Sequence, residues 1–232
     1  MANDTRARML ETTGRLLQLR GYHGTGLNEI LAESGAPRGS LYFHFPGGKD
    51  QLVIEATRAS VERVTRHRRE VLDKAPSPAA AVRAFGEGLA ALLEETDYRL
   101  SCPIAPIVLD GNGEIAELAA LSRETFEEWI ELLRAAFVRA GIPDKRAASL
   151  ALLTQSSFEG LLVIARAYHD TAPILETAEE LVAVIEMATP STRSVRESTS
   201  GTVPAAQVKG PTRGSHRSGQ SGGLVKSTVD RS

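Results

Sequence analysis

The sequence predicts an all-α protein: an N-terminal three-helix helix-turn-helix head, then a larger helical-bundle body that is dimeric through its last two helices. Three observations predict it. Apolar residues recur at helical spacing through most of residues 4–189, with no alternating strand pattern of useful length. Ala and Leu are plentiful while aromatics make up only 5%, and Ala and Leu lose little side-chain freedom in a helix. Gly and Pro fall at intervals that cut the periodic stretches into short and long pieces.

The elements follow in order. A first helix is expected from Thr5 to Arg20, with Met9, Leu10, Thr13, Leu16 and Leu17 on one face and Gly21 as its terminator. Gly14, inside it, costs about 1 kcal/mol relative to Ala. A short helix from Leu27 to Ser34 ends at Gly35. A second short helix is expected from Pro37, a residue tolerated at the first helical position, to Phe43. Pro46-Gly47-Gly48 interrupts the chain before a long helix from Lys49 to Asp73. Helices are then expected at Pro78–Thr96, Ile115–Ala140, Asp144–His169 and Pro173–Ala188, with loop or broken helix from Ser101 to Gly113. Residues 190–232 are rich in Ser, Thr, Gly, Arg and Pro and hold no aromatic; such a segment buries too little apolar surface to offset its ordering entropy, so a disordered basic tail is expected. The domain reading is 1–48, 49–189 and 190–232.

Charge is unevenly distributed. The first 74 residues carry 12 basic and 9 acidic side chains, residues 75–189 carry 8 and 18, and residues 190–232 carry 7 and 2. A basic end on an acidic body suits one end meeting phosphate. The single cysteine, Cys102, excludes an internal disulfide and favours a reducing compartment. No apolar run is read as reaching the roughly 20 residues that span a bilayer, and no signal peptide is read at the N-terminus, so a cytoplasmic protein with no membrane partner is expected. The five histidines are scattered, and there is no metal-spaced pair, phosphate loop, dinucleotide fingerprint or nucleophile elbow. Glu94-Glu95 and Glu127-Glu128 are adjacent on helices and point apart, so they build no shared acid/base site. These observations argue against an enzyme, and no cofactor or metal is expected.

Three helices with tight turns, the second and third very short, let the third protrude into a major groove. The residues here carry more. Gly21-Tyr22-His23-Gly24-Thr25, then Ile30, then Ser34-Gly35-Ala36-Pro37-Arg38-Gly39-Ser40-Leu41-Tyr42-Phe43-His44-Phe45 resemble the TetR family of transcriptional regulators. Pro46-Gly47-Gly48-Lys49-Asp50-Gln51-Leu52, with its extra glycine before the lysine, and Ser101-Cys102-Pro103-Ile104-Ala105-Pro106 resemble its LmrA-like branch.

The resemblance implies that the third helix reads double-stranded operator DNA. Arg38, Gly39 and Ser40 would meet base edges or adjacent phosphates, Arg pairing bidentately with guanine and Gly allowing close backbone approach. Tyr42 and His44 would contact phosphates, and Lys49 would donate to one at a helix N-terminus. Thr25 and Gly26 would sit at the entry to the second helix, Thr25 on the DNA backbone. Gly26 replaces a frequent Ser or Thr, and Pro37 a frequent Ser. Leu41 and Phe45 are read as core; Phe43 is read as core, with a groove contact as its alternative.

The resemblance also implies a ligand pocket in the body. Phe126, Ile130, Leu133 and Phe137 follow helical spacing beside Trp129, and Phe85, Leu89, Leu92 and Leu93 lie on another helix. The expected lining is Phe85, Leu89, Cys102, Ile104, Phe126, Trp129, Ile130 and Leu133, for an apolar or amphipathic small-molecule effector. The helix after Asp144 is apolar nearly all round, so it must be buried on several sides. A homodimer interface through Leu153, Ser156, Gly160, Leu161, Ile164, Leu181 and Ile185 is expected. The function read from the sequence is a ligand-responsive repressor. Its two recognition helices would stand about 34–36 Å apart on DNA until effector shifts the population to a DNA-incompetent state.

Overall fold

The computed structural model describes residues 2–100, 102–110 and 115–190, and every regular element among them is a helix. They are α1 (Ala2–Arg20), α2 (Leu27–Ser34), α3 (Ser40–His44), α4 (Gly48–Lys74), α5 (Pro78–Glu95), α6 (Ala105–Leu109), α7 (Ala116–Arg139), α8 (Asp144–Tyr168) and α9 (Ala172–Ala188). The expected tail lies outside the described residues.

Most boundaries have a local cause. The Gly35 backbone at φ 63° turns α2 off through hydrogen bonds from its N–H to the Ala32 and Leu31 carbonyls. Ser77 caps α5 by accepting from the Ala80 N–H at 3.1 Å, and Pro78 fills the first turn. Within the expected broken stretch, α6 is a five-residue helix opened by Pro106 in its first turn.

Three apolar clusters organise the chain. The head core joins Met9 and Leu16 of α1 to Ile30, Leu31, Leu41, Phe45 and Leu52. A second cluster, Leu17, Val53, Ile107, Leu118 and Leu121, ties α1 and α4 to α6 and α7. The body core runs through α5, α7, α8 and α9, around Trp129, Phe137, Phe158 and Ile174. The helix α4 therefore belongs to head and body alike, and no break in packing occurs at residue 48. Residues 1–191 form one compact unit.

At two helix–helix contacts a glycine leaves room for the neighbouring helix. A Cβ at Gly14 would lie 2.5 Å from Ser60 Oγ, so the α1 glycine is where α1 and α4 press together. A Cβ at Gly86 would lie 2.7 Å from the Ala178 Cβ, where α5 meets α9.

Contrary to the sequence reading, α8 is long and apolar enough by length and composition to cross a bilayer. Its Leu150, Ala151, Phe158, Leu161, Leu162 and Ala165 are buried within the body core. Burial in the chain's own core accounts for that side of the helix, while Leu152, Leu153, Val163 and Ile164 remain exposed on the other.

Candidate functional site

The head presents its third helix on a buried footing. Leu41 and Phe45 are buried in the head core. One helical turn apart, they fix which side of the five-residue helix faces inward. The residues between them point away: Tyr42 is 66% exposed and Phe43 75%. The reading of Phe43 as core is therefore corrected, because so short a helix has only one buried side and Leu41 and Phe45 occupy it. The ring of Phe43 instead meets the half-buried His44 edge-on at 4.9 Å.

The helix also starts later than expected. The Pro37 carbonyl accepts from the Ser40 N–H at 2.9 Å and from Ser40 Oγ at 2.6 Å. That closes a turn, so Pro37 precedes the helix by three residues. Arg38 and Gly39 project from the turn rather than from the helix, and both are exposed. Space around a Cβ at Gly39 is open. The side chain of Arg38 has no hydrogen bond or ion pair to any described residue, which leaves its full fork of donors for a partner. Ser40 is half-buried and its hydroxyl proton is committed to Pro37, so only its lone pairs remain for a partner.

Two entry residues differ in placement. Gly26 is exposed and extended at the N-cap of α2, with open space where a side chain would stand. Thr25 is fully buried and its hydroxyl donates to the Gly21 carbonyl at 2.7 Å. The expectation of a Thr25 contact with the DNA backbone is corrected: the side chain closes the turn after α1 and offers no surface. Lys49 is half-buried; its ammonium donates to the Tyr22 carbonyl at 3.1 Å and lies 4.2 Å from the Tyr22 ring centroid. The Tyr22 hydroxyl in turn donates to Asp50 Oδ1 at 2.6 Å. Lys49 thus braces the head while two of its three protons stay open. Gly48, at φ 72°, opens α4 in the left-handed region, which explains the extra glycine before the lysine.

The body holds a cavity of about 670 Å³. Of the eight expected lining residues, Phe85, Leu89, Cys102, Trp129 and Leu133 line it. The other three are corrected. Ile104 is fully buried in the core beneath, and Phe126 and Ile130 pack half-buried against that core, off the cavity wall.

The polar part of the wall was missed by the sequence reading. Arg68 of α4 lies with its guanidinium carbon 4.2 Å from the Trp129 ring centroid and 5.9 Å from that of Phe85. Its Nη1 donates to Gln155 Oε1 at 2.7 Å, and Gln155 Nε2 donates to Glu159 Oε1 at 2.8 Å. Trp129 Nε1 donates to Thr65 Oγ1 at 2.7 Å, which fixes the indole beneath the guanidinium. Burial lowers the Arg68 pKa and, outweighing the attraction of Arg68, raises that of Glu159. Burial also pushes the Cys102 thiol up to about 12, so it stays protonated and is a poor nucleophile. A sequence signal for part of this existed: Gln155 and Glu159 stand one turn apart within an apolar run. Arg68 stands among Arg63, Arg66 and Arg69, and nothing in the sequence around it singles it out.

The rim of the cavity reaches the head. Glu11, Arg15 and Gln18 of α1 line it beside Ser60, Arg63 and His67 of α4. Arg15 also ion-pairs with Glu33 of α2. The turn between α1 and α2 is fastened to α6, where the His23 N–H donates to Asp110 Oδ2 at 2.6 Å.

The expected interface residues fall into two groups. Leu153, Ser156, Gly160 and Ile164 are exposed along α8, together with Leu152 and Val163. Leu161, Leu181 and Ile185 are buried in the body core. Their reading as interface is corrected: they join α8 and α9 to their own chain.

Residues 9–56 match the model of the bacterial regulatory proteins of the tetR family, and residues 78–180 match that of the C-terminal domain of LmrA/YxaF-like transcriptional regulators. The chain is 31% identical over 172 residues to the HTH-type transcriptional regulator LmrA of Bacillus subtilis, covering 74% of this chain and 92% of that one. A TetR transcriptional regulator from Chloroflexus aurantiacus, solved by crystallography, superposes with a TM-score of 0.71 at 26% identity, covering 81% of this chain and 97% of that one. A cysteine mutant of the TetR family regulator CifR, solved with 26-bp double-strand operator DNA, superposes with a TM-score of 0.64 at 25% identity, covering 77% of this chain and 94% of that one.

Proposed function

The chain belongs to the TetR family of DNA-binding transcriptional regulators, and on that premise we propose that it is a homodimeric, cytoplasmic repressor released from its operator by a small amphipathic effector. The carrying observation is the third helix. Its Leu41–Phe45 footing is buried, while Arg38 and Tyr42 stand exposed with the shape and chemistry that a major groove accepts.

The readout divides by chemistry. Arg38 supplies a bidentate fork for a guanine edge. Gly39 lets the backbone approach, and Ser40 offers acceptor lone pairs. Tyr42, His44 and Lys49 are the phosphate contacts that set register. Gly26 is exposed at the N-terminus of α2 and adds a backbone approach there. The body, from residue 49 to 189, senses effector and pairs two copies through the exposed apolar strip of α8.

Effector in the cavity acts by differential affinity. It contacts α4 directly, and α4 is shared with the head. A ligand that binds best when α4 and α1 are displaced draws the dimer toward states in which the two third helices no longer match successive grooves. The buried thiol with its raised pKa argues against a redox trigger at Cys102.

The test starts from genomic fragments enriched by the purified protein. Arg38→Ala combined with Tyr42→Ala, at two exposed positions, abolishes binding to the enriched duplex while leaving the melting temperature close to wild type. Unchanged duplex affinity would refute the contact set, and monodisperse monomer at micromolar concentration by light scattering would refute the dimer.

A further inference from the structure

Below its polar rim, the cavity wall is apolar except at one place. There the Arg68 guanidinium carbon lies 4.2 Å from the Trp129 ring centroid, and Nη1 donates to Gln155. Its other N–H groups, on the Nε–Nη2 edge, have no acceptor among the described residues, yet the side chain lines the cavity. A desolvated guanidinium with an unused fork is a built receptor for a planar anion, because a carboxylate matches that edge with two parallel bonds.

The neighbouring carboxylate, Glu159, also lines the cavity and attracts Arg68, but its hydrogen-bonded link to the guanidinium runs through Gln155. Gln155 stands between the two groups, accepting from Arg68 and donating to Glu159 Oε1. Glu159 Oε2 is enclosed, without solvent contact or a hydrogen-bond partner. Burial also drives Glu159 toward its neutral form. At the rim, Arg15, Arg63 and His67 are interspersed with Glu11 and Glu95, so the rim has no single sign and selection falls to the interior.

We infer that the effector is an apolar monocarboxylate whose carboxylate takes the Nε–Nη2 edge of Arg68 and whose body lies along Phe85, Leu89, Leu133 and Phe158. This rests on the reading of the cavity as the effector site. A neutral amphipath would leave the fork unpaired, and an amine would face the guanidinium.

Trp129 is the sole tryptophan of the chain and lies against Arg68, so its emission reports occupancy at this spot. The full-length protein is titrated with decanoate, 1-decanol and decylamine, and Trp129 emission is followed. Decanoate should saturate roughly 10- to 100-fold more tightly than decanol, as a charge-assisted bond implies. In Arg68→Gln the ratio of the two affinities should fall to about one, with melting curves checking the fold. Arg68→Lys, which keeps charge without the fork, should retain part of the preference. Decanol or decylamine binding as tightly as decanoate would overturn the inference, as would an undiminished preference in Arg68→Gln or no saturable response to decanoate. Operator affinity separates the two readings. Arg68-dependent decanoate binding that leaves operator affinity unchanged supports the anion site and refutes the effector role. Operator release by a neutral compound alone refutes the anion site and leaves the regulator standing.

Discussion

Replacing Gly86 by Ala tests how α5 and α9 are held, and Gly88 two residues along supplies the control. A methyl at Gly86 would stand 2.7 Å from the Ala178 Cβ, a single-carbon side chain with no rotamer to yield. Carbon atoms pack at about 3.5–4.0 Å, so the two helices must separate by about 1 Å. Overpacking of this kind costs about 1–3 kcal/mol. Around Gly88 there is open space, so the same methyl meets nothing. Both positions lie inside α5, so both gain the same helix propensity, about 1 kcal/mol. The propensity gain cancels in the difference, and Gly86→Ala should be less stable than Gly88→Ala by about 1–3 kcal/mol. For a chain of this size that is roughly 2–12 °C in melting temperature. Thermal unfolding by circular dichroism, at one protein concentration and without ligand, measures it. Gly88→Ala should melt above wild type. Adding Ala178→Gly to Gly86→Ala should show a favourable coupling between the two sites. Coincident melting of the two single variants would refute the steric reading of the α5–α9 contact.

Other expectations concern the two surfaces and the thiol. Arg38→Ala should weaken binding to the enriched duplex roughly 5- to 150-fold and relax preference at the guanine it reads, measured by anisotropy across single-base variants. Leu153→Arg with Ile164→Arg, at exposed apolar sites on α8, should shift sedimentation from dimer to monomer without lowering helix content. Cys102 should resist iodoacetamide at pH 8 in the folded protein and react promptly once unfolded. Its folded pKa lies above the unfolded value. The unfolded chain therefore releases this proton first, so the thiol's contribution is intact below about pH 8.5 and stability falls as pH rises toward 12, which alkaline denaturant titrations can follow.

Helix order was legible because punctuation and periodicity agree: Gly35 ends α2 and Pro78 opens α5 where the sequence says they should. The start of α3 was not, since the same proline that suits a first helical turn also suits the turn before one, and the Ser40 bonds to the Pro37 carbonyl choose the latter. Phe43 was misplaced because hydrophobicity says only that burial is favourable; the inward side of so short a helix was already taken. A helix apolar on all sides cannot show which side faces its own chain. That is why Leu161 and Ile164, three residues apart on α8, were read alike and fall on opposite sides of the answer. Phe85, Leu89, Trp129 and Leu133 were foreseeable as cavity wall because they are large and apolar. Its polar end was not, because Arg68 differs from its arginine neighbours only in what α7 and α8 bring against it.

The run from Cys102 to Asp110 is anchored at both extremities to different business. One extremity forms part of the chamber wall; the other grips the backbone of the bend between the first two helices. Ile107, midway, is sealed into the junction cluster with Leu17 and Val53. In nine residues this strut joins the chamber wall to the bend between the first two helices, alongside α4 and separate from it.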